Sequence, residues 1–477
     1  MNTGRFRSLD LLWLSLVLLV ALGIAFLLPV TPQDYWWYLR IGQDTLSAGA
    51  VPQVDALSHT QTGQPVVYHS WAAALLFFLV YQAGGLPLTF LLRGLVIAVA
   101  YSLVWWTARR LGAGVRTASL VLLVAVLASS NNWSVRPQLL AYPLFGLAVW
   151  VLYRWQDGNN KALIWLPLAS LLWVNLHGSF VILVLLVGAA FVFGKGNRRL
   201  LALTLGGVLL ATLANPRAVG AWTYVVDSLT VASSQVFSAE WKPPVNEGWQ
   251  MNLFFLWLLA FPLLTALSQR RLSRLEWAWF LGFGLLALSG LRYVIWFIMV
   301  LTVLTALLLA GWGQRRPSVP LAGIPALNLA LGLAFLLLPL ALLPGIRSAW
   351  WPQAPPVTEN TPVAATAWLQ EHPELPGPLW SEIGFSSYLE FALPERPTWI
   401  DTRFEVFPVG QWETYREITY AYDGWDSLLD ESGVNLLMVS HQYQPRLVAA
   451  LDGSDGWCAL YRDDIAVVYR LGPCGGE

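Results

Sequence analysis

The residues best suited to acid–base or metal chemistry concentrate in one polar stretch, 31–71, directly after the first long apolar run. It interleaves acids and histidines with tyrosine and tryptophan, and the titrating groups are Asp34, Asp44, Asp55, His59 and His69. Carboxylate and imidazole groups deprotonate hydroxyls and bind divalent cations. Because a membrane helix has just ended where the stretch begins, we interpret it as an active-site loop at the outer membrane face.

Asp34 is the predicted catalytic residue of this loop. It precedes YWWYLRIG at the level expected for lipid headgroups, where a carboxylate can bind a cation, deprotonate an acceptor hydroxyl, or only cap the following helix. Asp55 and His59 are four residues apart, and with Asp34 they are the candidate metal ligands, although this spacing is no recognised metal signature. Asp55, His59 and His69 are also predicted to bind substrate. The surrounding aromatic residues fit an interfacial belt or stacking on a sugar ring.

The composition is that of a polytopic membrane protein. Of the 477 residues, 56% are hydrophobic and only 12% charged, against about 25% in soluble domains, and the mean hydropathy is +0.55. The 28 basic and 28 acidic residues balance, and the basic ones occur in short clusters between apolar runs. This pattern argues against a nucleic-acid surface and is typical of topology signals. No cleavage site follows the first apolar run, so we expect it to be retained as a helix.

Segment 70–83 decides the predicted topology. If it does not cross the membrane, every basic cluster falls on one side, which the positive-inside rule makes cytoplasmic. We therefore predict an interfacial or re-entrant helix at 70–83, eleven crossings, a cytoplasmic N-terminus and an extracytoplasmic C-terminus. The basic clusters are Arg5/Arg7, Arg109/Arg110/Arg116, Arg154/Lys161, Lys195/Arg198/Arg199, Arg270/Arg271/Arg274 and Arg315/Arg316. The predicted apolar segments are 9–30, 70–83, 87–108, 116–131, 137–155, 161–175, 178–194, 199–214, 251–268, 275–289, 292–311 and 320–345.

This topology brings polar helix ends together at the outer face, where the long loops 31–69 and 215–250 also lie. Three arginines there are candidates to hold an anionic head such as the phosphate of a lipid carrier, and the alternative is that they snorkel to the headgroups. His177 is predicted either to bridge helices or to transfer a proton and contact phosphate. The predicted substrate-binding residues at these ends are Arg136, Asn175, His177, Asn215, Arg217 and Arg292.

The chain beyond 345 changes character. A Pro-rich linker, 346–362, separates a transmembrane domain, 1–345, from a small extracytoplasmic α/β domain, 363–477. A helix is predicted at 364–372 and strands at PLWSEI, TWIDTRF, VNLLMVS, CALYRD and AVVYRL. Asp401 and Arg403 either line a cleft or form a local ion pair, and the ion pair is favoured. Cys458 and Cys474 either form a disulfide or remain two free thiols.

Several motifs resemble those of the C-type (GT-C) membrane glycosyltransferases, the superfamily of protein mannosyltransferases and lipid A aminoarabinose transferases. They are QDYWWYLRIG after the first helix, AGAVPQVDALS, and PVVYHSWAAALLFFLVYQAGG before the helix with Arg93. DYWWYLRIG, VRPQLLAYPLF, LWVNLHGSF and ANPRAVGAW are similar to uncharacterised bacterial membrane proteins of that superfamily. The resemblance implies a mainly α bundle with juxtamembrane helices on its first outer loop. It also implies a polyprenyl-phosphate sugar donor, an outer-face acceptor, and Asp34 as the catalytic or metal-binding acid.

One departure from that superfamily stands in the next outer loop, where many members carry a second acid and this chain has Asn131 and Asn132. The functional hypothesis is inverting glycosyl transfer to a glycan, lipid or protein acceptor, with Asp34 acting on the acceptor and an arginine neutralising the leaving phosphate. A divalent cation is the candidate cofactor, and membrane lipids are expected partners. The alternative is a lipid-binding, transport or assembly protein of the same fold without chemistry.

Overall fold

The computed structural model describes residues 8–310, 324–375 and 377–474, and the basic clusters Arg5/Arg7 and Arg315/Arg316 lie outside these ranges. The chain divides into two compact units whose segments alternate along the sequence. We call Met1–Leu28, Gly84–Val225 and Ala239–Ala354 the helical unit, and Pro29–Ala83, Val226–Ser238 and Pro355–Glu477 the mixed unit. The boundaries at 345 and 363 stay a prediction.

The structure is mostly helical, with a small sheet near the C-terminus. Short 3₁₀ turns join several helices. The elements in chain order are α1 (Ser8–Leu27), α2 (Tyr35–Ala48), α3 (Trp71–Arg110), α4 (Val115–Ser129), α5 (Pro137–Gln156), α6 (Trp165–Leu176), α7 (Val181–Phe193), α8 (Arg198–Ala211), α9 (Gly220–Thr230), α10 (Ala232–Phe237), α11 (Gly248–Leu267), α12 (Arg274–Ser289), α13 (Val294–Leu309), α14 (Pro325–Leu337), α15 (Val363–Glu371), β1 (Leu379–Ser381), α16 (Ile383–Ala392), α17 (Val409–Thr419), α18 (Trp425–Glu431), β2 (Leu436–Ser440), α19 (Pro445–Asp452), β3 (Trp457–Arg462) and β4 (Ala466–Leu471).

Each of the twelve predicted apolar segments falls on a helix wherever the structure describes it. Among the described residues, six helices are long and apolar enough to cross a membrane, because about 20 residues at 1.5 Å rise span the hydrocarbon core. The chain is therefore a multi-pass membrane protein, while the number of eleven crossings stays a prediction. The six are Ser8–Leu27, Trp71–Arg110, Val115–Asn132, Gly248–Leu267, Leu291–Leu309 and Pro325–Leu342.

Helix α3 is broken where the sequence separates 70–83 from 87–108. Gly84 (φ −169°, ψ 24°) and Gly85 (φ 60°, ψ −150°) have non-helical backbone, and Gly85 occupies a region that side chains disfavour. The division between the two units falls at the same place. Residues 71–83 thus form a helical segment that is distinct from the one that follows, as the sequence predicts.

Two buried arginines complete the C-terminal end of α1 inside the helical unit. Arg93 donates to the Leu28 carbonyl at 2.5 Å and Arg347 to the Phe26 carbonyl at 3.1 Å. The last carbonyls of a helix have no partner within it, and they carry partial negative charge that cations stabilise. The chain therefore leaves α1 from a fixed point, immediately before the polar stretch. The core of this unit centres on α13, whose residues 294–308 are all buried.

The mixed unit contains the four-stranded sheet, in the order β1-β2-β4-β3. Strand β1 pairs with β2 in parallel and the other pairs are antiparallel. The predicted helix at 364–372 and four of the five predicted strands agree with α15 and β1–β4. Cys458 and Cys474 form a disulfide that ties the start of β3 to the residues after β4.

The predicted strand TWIDTRF, 398–404, is wrong. Thr398 makes only isolated bridges, to Ser58 and to Leu379. The chain then turns, because the Asp401 carboxylate accepts the backbone N–H of Arg403 at 2.7 Å and the Thr402 carbonyl accepts that of Phe404. An aspartate that bonds its own backbone two residues on is a turn former, and it stops strand pairing here.

Candidate functional site

Asp34 is held by a hydroxyl from the C-terminal part of the chain. Its Oδ1 accepts a hydrogen bond from Thr402 Oγ1 at 2.6 Å. The same hydroxyl accepts from Trp37 Nε1 at 3.2 Å and lies 3.0 Å from Ser387 Oγ. Asp34 is partly exposed and its side chain does not cap α2, so the capping alternative does not describe it. A positioned, solvent-accessible carboxylate of this kind can orient or deprotonate a hydroxyl.

Helix α2 fixes this carboxylate by packing on both sides. On one side Trp36 contacts Tyr388 of α16 edge to face, with ring centroids 4.8 Å apart. On another side α2 approaches the helical segment 71–83 so closely that a Cβ on Gly42 would lie 2.3 Å from the Ala74 carbonyl oxygen. Asp44, on the exposed face of α2, pairs with Arg40 one turn before it.

Asp55 belongs to a buried ionic group, which we call the Arg403 cluster and define as Asp55, Tyr68, Asp401 and Arg403. Arg403 donates to Asp55 at 2.5 Å and to the Tyr68 hydroxyl at 2.8 Å, and its other nitrogens bind both oxygens of Asp401. The side chains of Arg403, Asp55 and Asp401 are at most 2% exposed. The favoured ion pair between Asp401 and Arg403 is confirmed, and Asp55 is its third charged member.

The electrostatics of the cluster follow from this geometry. Burial alone would raise the pKa of Asp55, but the Arg403 charge and hydrogen bonds from Arg403 and Ser58 together lower that pKa below its usual value. Glu390 shows the opposite balance, because burial and the nearby Asp401 charge raise its pKa well above the usual range. The Arg403 charge therefore favours the ionised form of Asp55, whereas burial and the Asp401 charge favour the protonated form of Glu390.

The two histidines of the polar stretch have different surroundings. The backbone of His59 donates to the Thr398 carbonyl at 3.0 Å, and burial lowers the pKa of its imidazole. His69 lines a small aromatic pocket with Trp37, Tyr38 and Glu405. Within the described ranges, no group of three or more His, Cys, Asp or Glu side chains is placed to hold a metal ion. Asp34, Asp55 and His59 stay metal-ligand candidates by prediction only.

A second site lies in the helical unit, and we call it the arginine pocket. Arg136 forms an ion pair with Glu240, and both side chains are partly exposed, at 28% and 39%. The Arg292 guanidinium lies over the Trp241 ring, 4.4 Å from its centroid. Gln138 donates to the Arg292 carbonyl at 2.9 Å and so joins the two arginine-bearing segments. The pocket is lined by Asn131, Asn132, Ser134, Arg136, Gln138, Leu139, Tyr142, Glu240, Leu291 and Arg292.

Two helix N-termini meet at the arginine pocket. Arg136 is the extended residue before α5, whose first residue is Pro137, and proline is well suited to that position because its missing N–H costs nothing there. Arg292 lies in the 3₁₀ turn that leads into α13. Helix N-termini carry partial positive charge and unsatisfied N–H groups. With two guanidinium groups beside them, the pocket is suited to an anion such as phosphate.

The remaining predicted residues form a polar joint between α6 and the turn after α8. Asn215 donates to the Val174 carbonyl at 3.1 Å and to Asn175 Oδ1 at 3.3 Å. His177 Nδ1 accepts the Ser179 backbone N–H and contacts the Ser179 hydroxyl, a local arrangement that caps a 3₁₀ turn. Arg217 follows Asn215, and it is not among the residues that line the arginine pocket.

Thr402, Glu240 and Trp241 are the residues at these sites that the sequence did not single out. Thr402 binds an aspartate 368 positions earlier in the chain, and no motif connects the two. Glu240 and Trp241 lie in a 3₁₀ turn between α10 and α11. The sequence signal that could have identified Glu240 and Trp241 is that an acid and an aromatic residue are adjacent in a loop predicted to lie at the same face as the arginines.

Comparison with known proteins gives matches among solved structures. No protein-family model and no curated protein matches the sequence. The archaeal oligosaccharyltransferase AglB from Archaeoglobus fulgidus, in complex with an inhibitory peptide and a dolichol-phosphate, is 11% identical with a TM-score of 0.59, over 98% of this chain and 75% of that one. The A. fulgidus oligosaccharyltransferase tethered to an acceptor peptide with an NVT sequon is 12% identical with a TM-score of 0.58, over 97% and 75%.

ArnT from Cupriavidus metallidurans in the apo state is 16% identical, with a TM-score of 0.49 over 94% of this chain and 96% of that one. The oligosaccharyltransferase likeness covers nearly the whole of this chain, both units included, and at these identities it concerns the fold. The resemblance found in the sequence is therefore confirmed at the level of architecture: the chain has the fold of the A. fulgidus oligosaccharyltransferase.

Proposed function

We propose that this chain transfers a sugar from a polyprenyl-phosphate carrier to an acceptor at the outer face of a bacterial cytoplasmic membrane. The observation that carries the proposal is the arginine pocket, with Arg136 and Arg292 beside two helix N-termini. Forked guanidinium groups bind phosphate in charge-assisted pairs, and they are most useful where negative charge develops on a leaving group. The dolichol-phosphate in the AglB complex supports a lipid-linked donor for this fold.

In the proposed reaction, an acceptor hydroxyl attacks the anomeric carbon on the face opposite the carrier. The new bond joins the acceptor oxygen to that carbon, and the bond between the carbon and the phosphate oxygen breaks. Asp34 takes the acceptor proton, since its carboxylate is partly exposed and held by Thr402. The electron pair of the broken bond leaves on the phosphate, whose added charge Arg136 and Arg292 neutralise. The role of Asp34 is proposed from contacts within the mixed unit, and the role of Arg136 and Arg292 from contacts within the helical unit.

The proposal retains the predicted topology. It has eleven crossings, a cytoplasmic N-terminus, an interfacial helix at 71–83 and an extracytoplasmic C-terminal segment. The disulfide between Cys458 and Cys474 supports the external location of that segment, because disulfides persist in oxidising compartments. Asn175, His177, Asn215 and Arg217 are proposed to shape the acceptor or lipid path, with Asp55, His59 and His69 supporting the loop that carries Asp34.

The test is Asp34→Asn in purified protein incubated with radiolabelled polyprenyl-phosphate sugars and envelope acceptors. The amide still accepts the Thr402 hydrogen bond, so the geometry is kept while the base is lost. Transfer should fall by roughly 10²–10⁴-fold, the usual contribution of general acid–base catalysis. The matched control is Asp44→Asn, which removes a partly exposed acid of the helix that follows Asp34 and should leave the rate unchanged.

Equal activity of Asp34→Asn and wild type would refute the role of Asp34. Donor binding without turnover in the wild-type protein would instead favour the non-catalytic alternative, a lipid-binding, transport or assembly protein of this fold. Release of polyprenyl phosphate, measured alongside sugar transfer, separates the two outcomes.

A further inference from the structure

Two tyrosines form an exposed aromatic surface on the mixed unit, which we call the tyrosine platform and define as Tyr420 and Tyr422. They lie between α17 and α18, and each is 47% exposed. Their rings are stacked, with centroids 5.7 Å apart and an angle of 22° between the planes. Two large rings are thus held side by side at the surface, each with about half of its residue exposed.

The backbone between the rings is fixed in an unusual conformation. Ala421 has a φ of 49°, in the left-handed region that residues with a side chain seldom adopt. Its N–H donates to the Ile418 carbonyl at 2.9 Å, and the N–H of Tyr422 donates to the Glu417 carbonyl at 3.0 Å. These bonds hold the turn, so the two side chains need no rearrangement to present their rings together.

The platform lies in a shallow depression with charged groups on its rim. The rim carries two acids, Glu417 and Asp423, and one base, Arg446. The volume of the depression, about 800 Å³, is within the range of about 300–1,000 Å³ found for small-molecule sites. Two carboxylates against one guanidinium disfavour phosphate, anionic lipid and nucleic acid as ligands.

A sugar has the complementary surface. A pyranose presents an apolar face of C–H groups, which packs on an aromatic ring, and a rim of hydroxyls, which donate to carboxylates and accept from guanidinium. We propose that the tyrosine platform, with Glu417, Asp423 and Arg446, is a binding site for an uncharged oligosaccharide, separate from the residues assigned to transfer chemistry. The site binds glycan whether or not the chain catalyses transfer.

The test uses the full-length protein, purified in detergent, fluorescently labelled and applied to an array of immobilised, uncharged oligosaccharides. Wild type should bind at least one of them. Tyr420→Ala combined with Tyr422→Ala should weaken that binding by at least tenfold, whereas the double change to phenylalanine, which keeps the rings, should retain most of it. The control is Tyr443→Ala, which removes a tyrosine of similar exposure, 46%, outside the platform and should bind as wild type does.

Both platform rings are at the surface, so the variants should unfold at the same temperature as wild type. Thermal unfolding followed by tryptophan fluorescence checks this and excludes misfolding as the cause of lost binding. Absence of binding to every oligosaccharide would overturn the inference, as would equal losses for the platform and Tyr443 variants. A peptide array is probed in parallel. If the platform variants lose binding on the peptide array but not on the glycan array, the ligand is a peptide and the inference is overturned. Failure of the sugar-transfer assay would leave these results unaffected.

Discussion

The two units each present arginine beside carboxylate, with opposite consequences. In the Arg403 cluster one guanidinium is at most 2% exposed and is divided between two carboxylates and a phenol. In the arginine pocket the side chain of Arg136 is 28% exposed, that of Glu240, the acid it pairs with, is 39% exposed, and Arg292 lies on an aromatic face. The first arrangement has no room for a ligand, whereas in the second a phosphate can exchange with an exposed carboxylate.

The burial of an arginine and the number of carboxylates that it binds therefore distinguish a structural arginine from one that can bind a ligand. Two carboxylates that share one cation in a low-dielectric interior must keep that cation, since leaving either without it costs several kcal/mol. An ion pair exposed to water contributes only about 0–1 kcal/mol and is readily exchanged. Position along the sequence does not reveal this difference.

The largest expected effect is on stability, from Arg403→Met. This change leaves Asp55 and Asp401 buried without their cation, and removal of one partner of a buried ion pair costs about 3–5 kcal/mol. We expect a large fall in the midpoint of thermal unfolding in detergent, measured by tryptophan fluorescence.

The matched control is Arg462→Met, which breaks an ion pair with Asp452 in the same unit whose side chains are more than 40% exposed. Its effect should be at most about 1 kcal/mol. Similar destabilisation by the two variants would remove the distinction between buried and exposed pairs.

The next effect is on transfer, from Arg292→Gln. Loss of one guanidinium from the arginine pocket should lower the transfer rate by about 10²-fold, the usual effect of removing one donor to developing negative charge. The unfolding midpoint should hardly change, because the group is partly exposed. Initial rates with labelled carrier give the measurement.

Arg217→Gln is the companion variant, since the sequence grouped Arg217 with Arg292 but the structure leaves it out of the pocket lining. A much smaller loss is expected from it. Equal losses of transfer rate in Arg217→Gln and Arg292→Gln would contradict the assignment of the arginine pocket as the phosphate site.

The smallest effect is a gain, from Glu240→Gln. The change neutralises the acid that pairs with Arg136, so a phosphate no longer has to displace a charge. Because exposed ion pairs contribute about 0–1 kcal/mol, the affinity for polyprenyl phosphate should rise by up to about fivefold. Equilibrium binding of a fluorescent polyprenyl phosphate measures it, and weaker binding would make Glu240 a ligand contact rather than a competitor.

Much of the helical unit was predictable because long apolar runs have few alternatives in a membrane, and their ends agree with the helices to within a few residues. The break in α3 was also predicted, as the gap between the apolar segments 70–83 and 87–108, and it falls at Gly84 and Gly85. Helices α9 and α10 were not predicted, since their sequences are mixed in polarity and lie in a loop. The strand predicted at 398–404 failed because Asp401 has two roles, turn former and ion-pair partner, and neither is visible in hydrophobic alternation.

The candidate site was predictable by residue type but not by partner. Asp34, Arg136 and Arg292 were identified from their positions at helix ends. That Thr402 would orient Asp34, that Asp55 would be neutralised inside a cluster, and that Glu240 would pair with Arg136 all depend on contacts between distant parts of the chain. Local patterns carry no information about such pairs.

The 348 positions that separate Asp55 from Arg403 also set an order of events during synthesis. At about 5–20 residues per second, the ribosome needs on the order of 20–70 s after making Asp55 before it makes the guanidinium that neutralises it. Throughout that interval the loop after α1 lacks the partners that bury Asp55. Newly made chains should therefore expose this loop to protease, and become protected only when translation has passed Arg403.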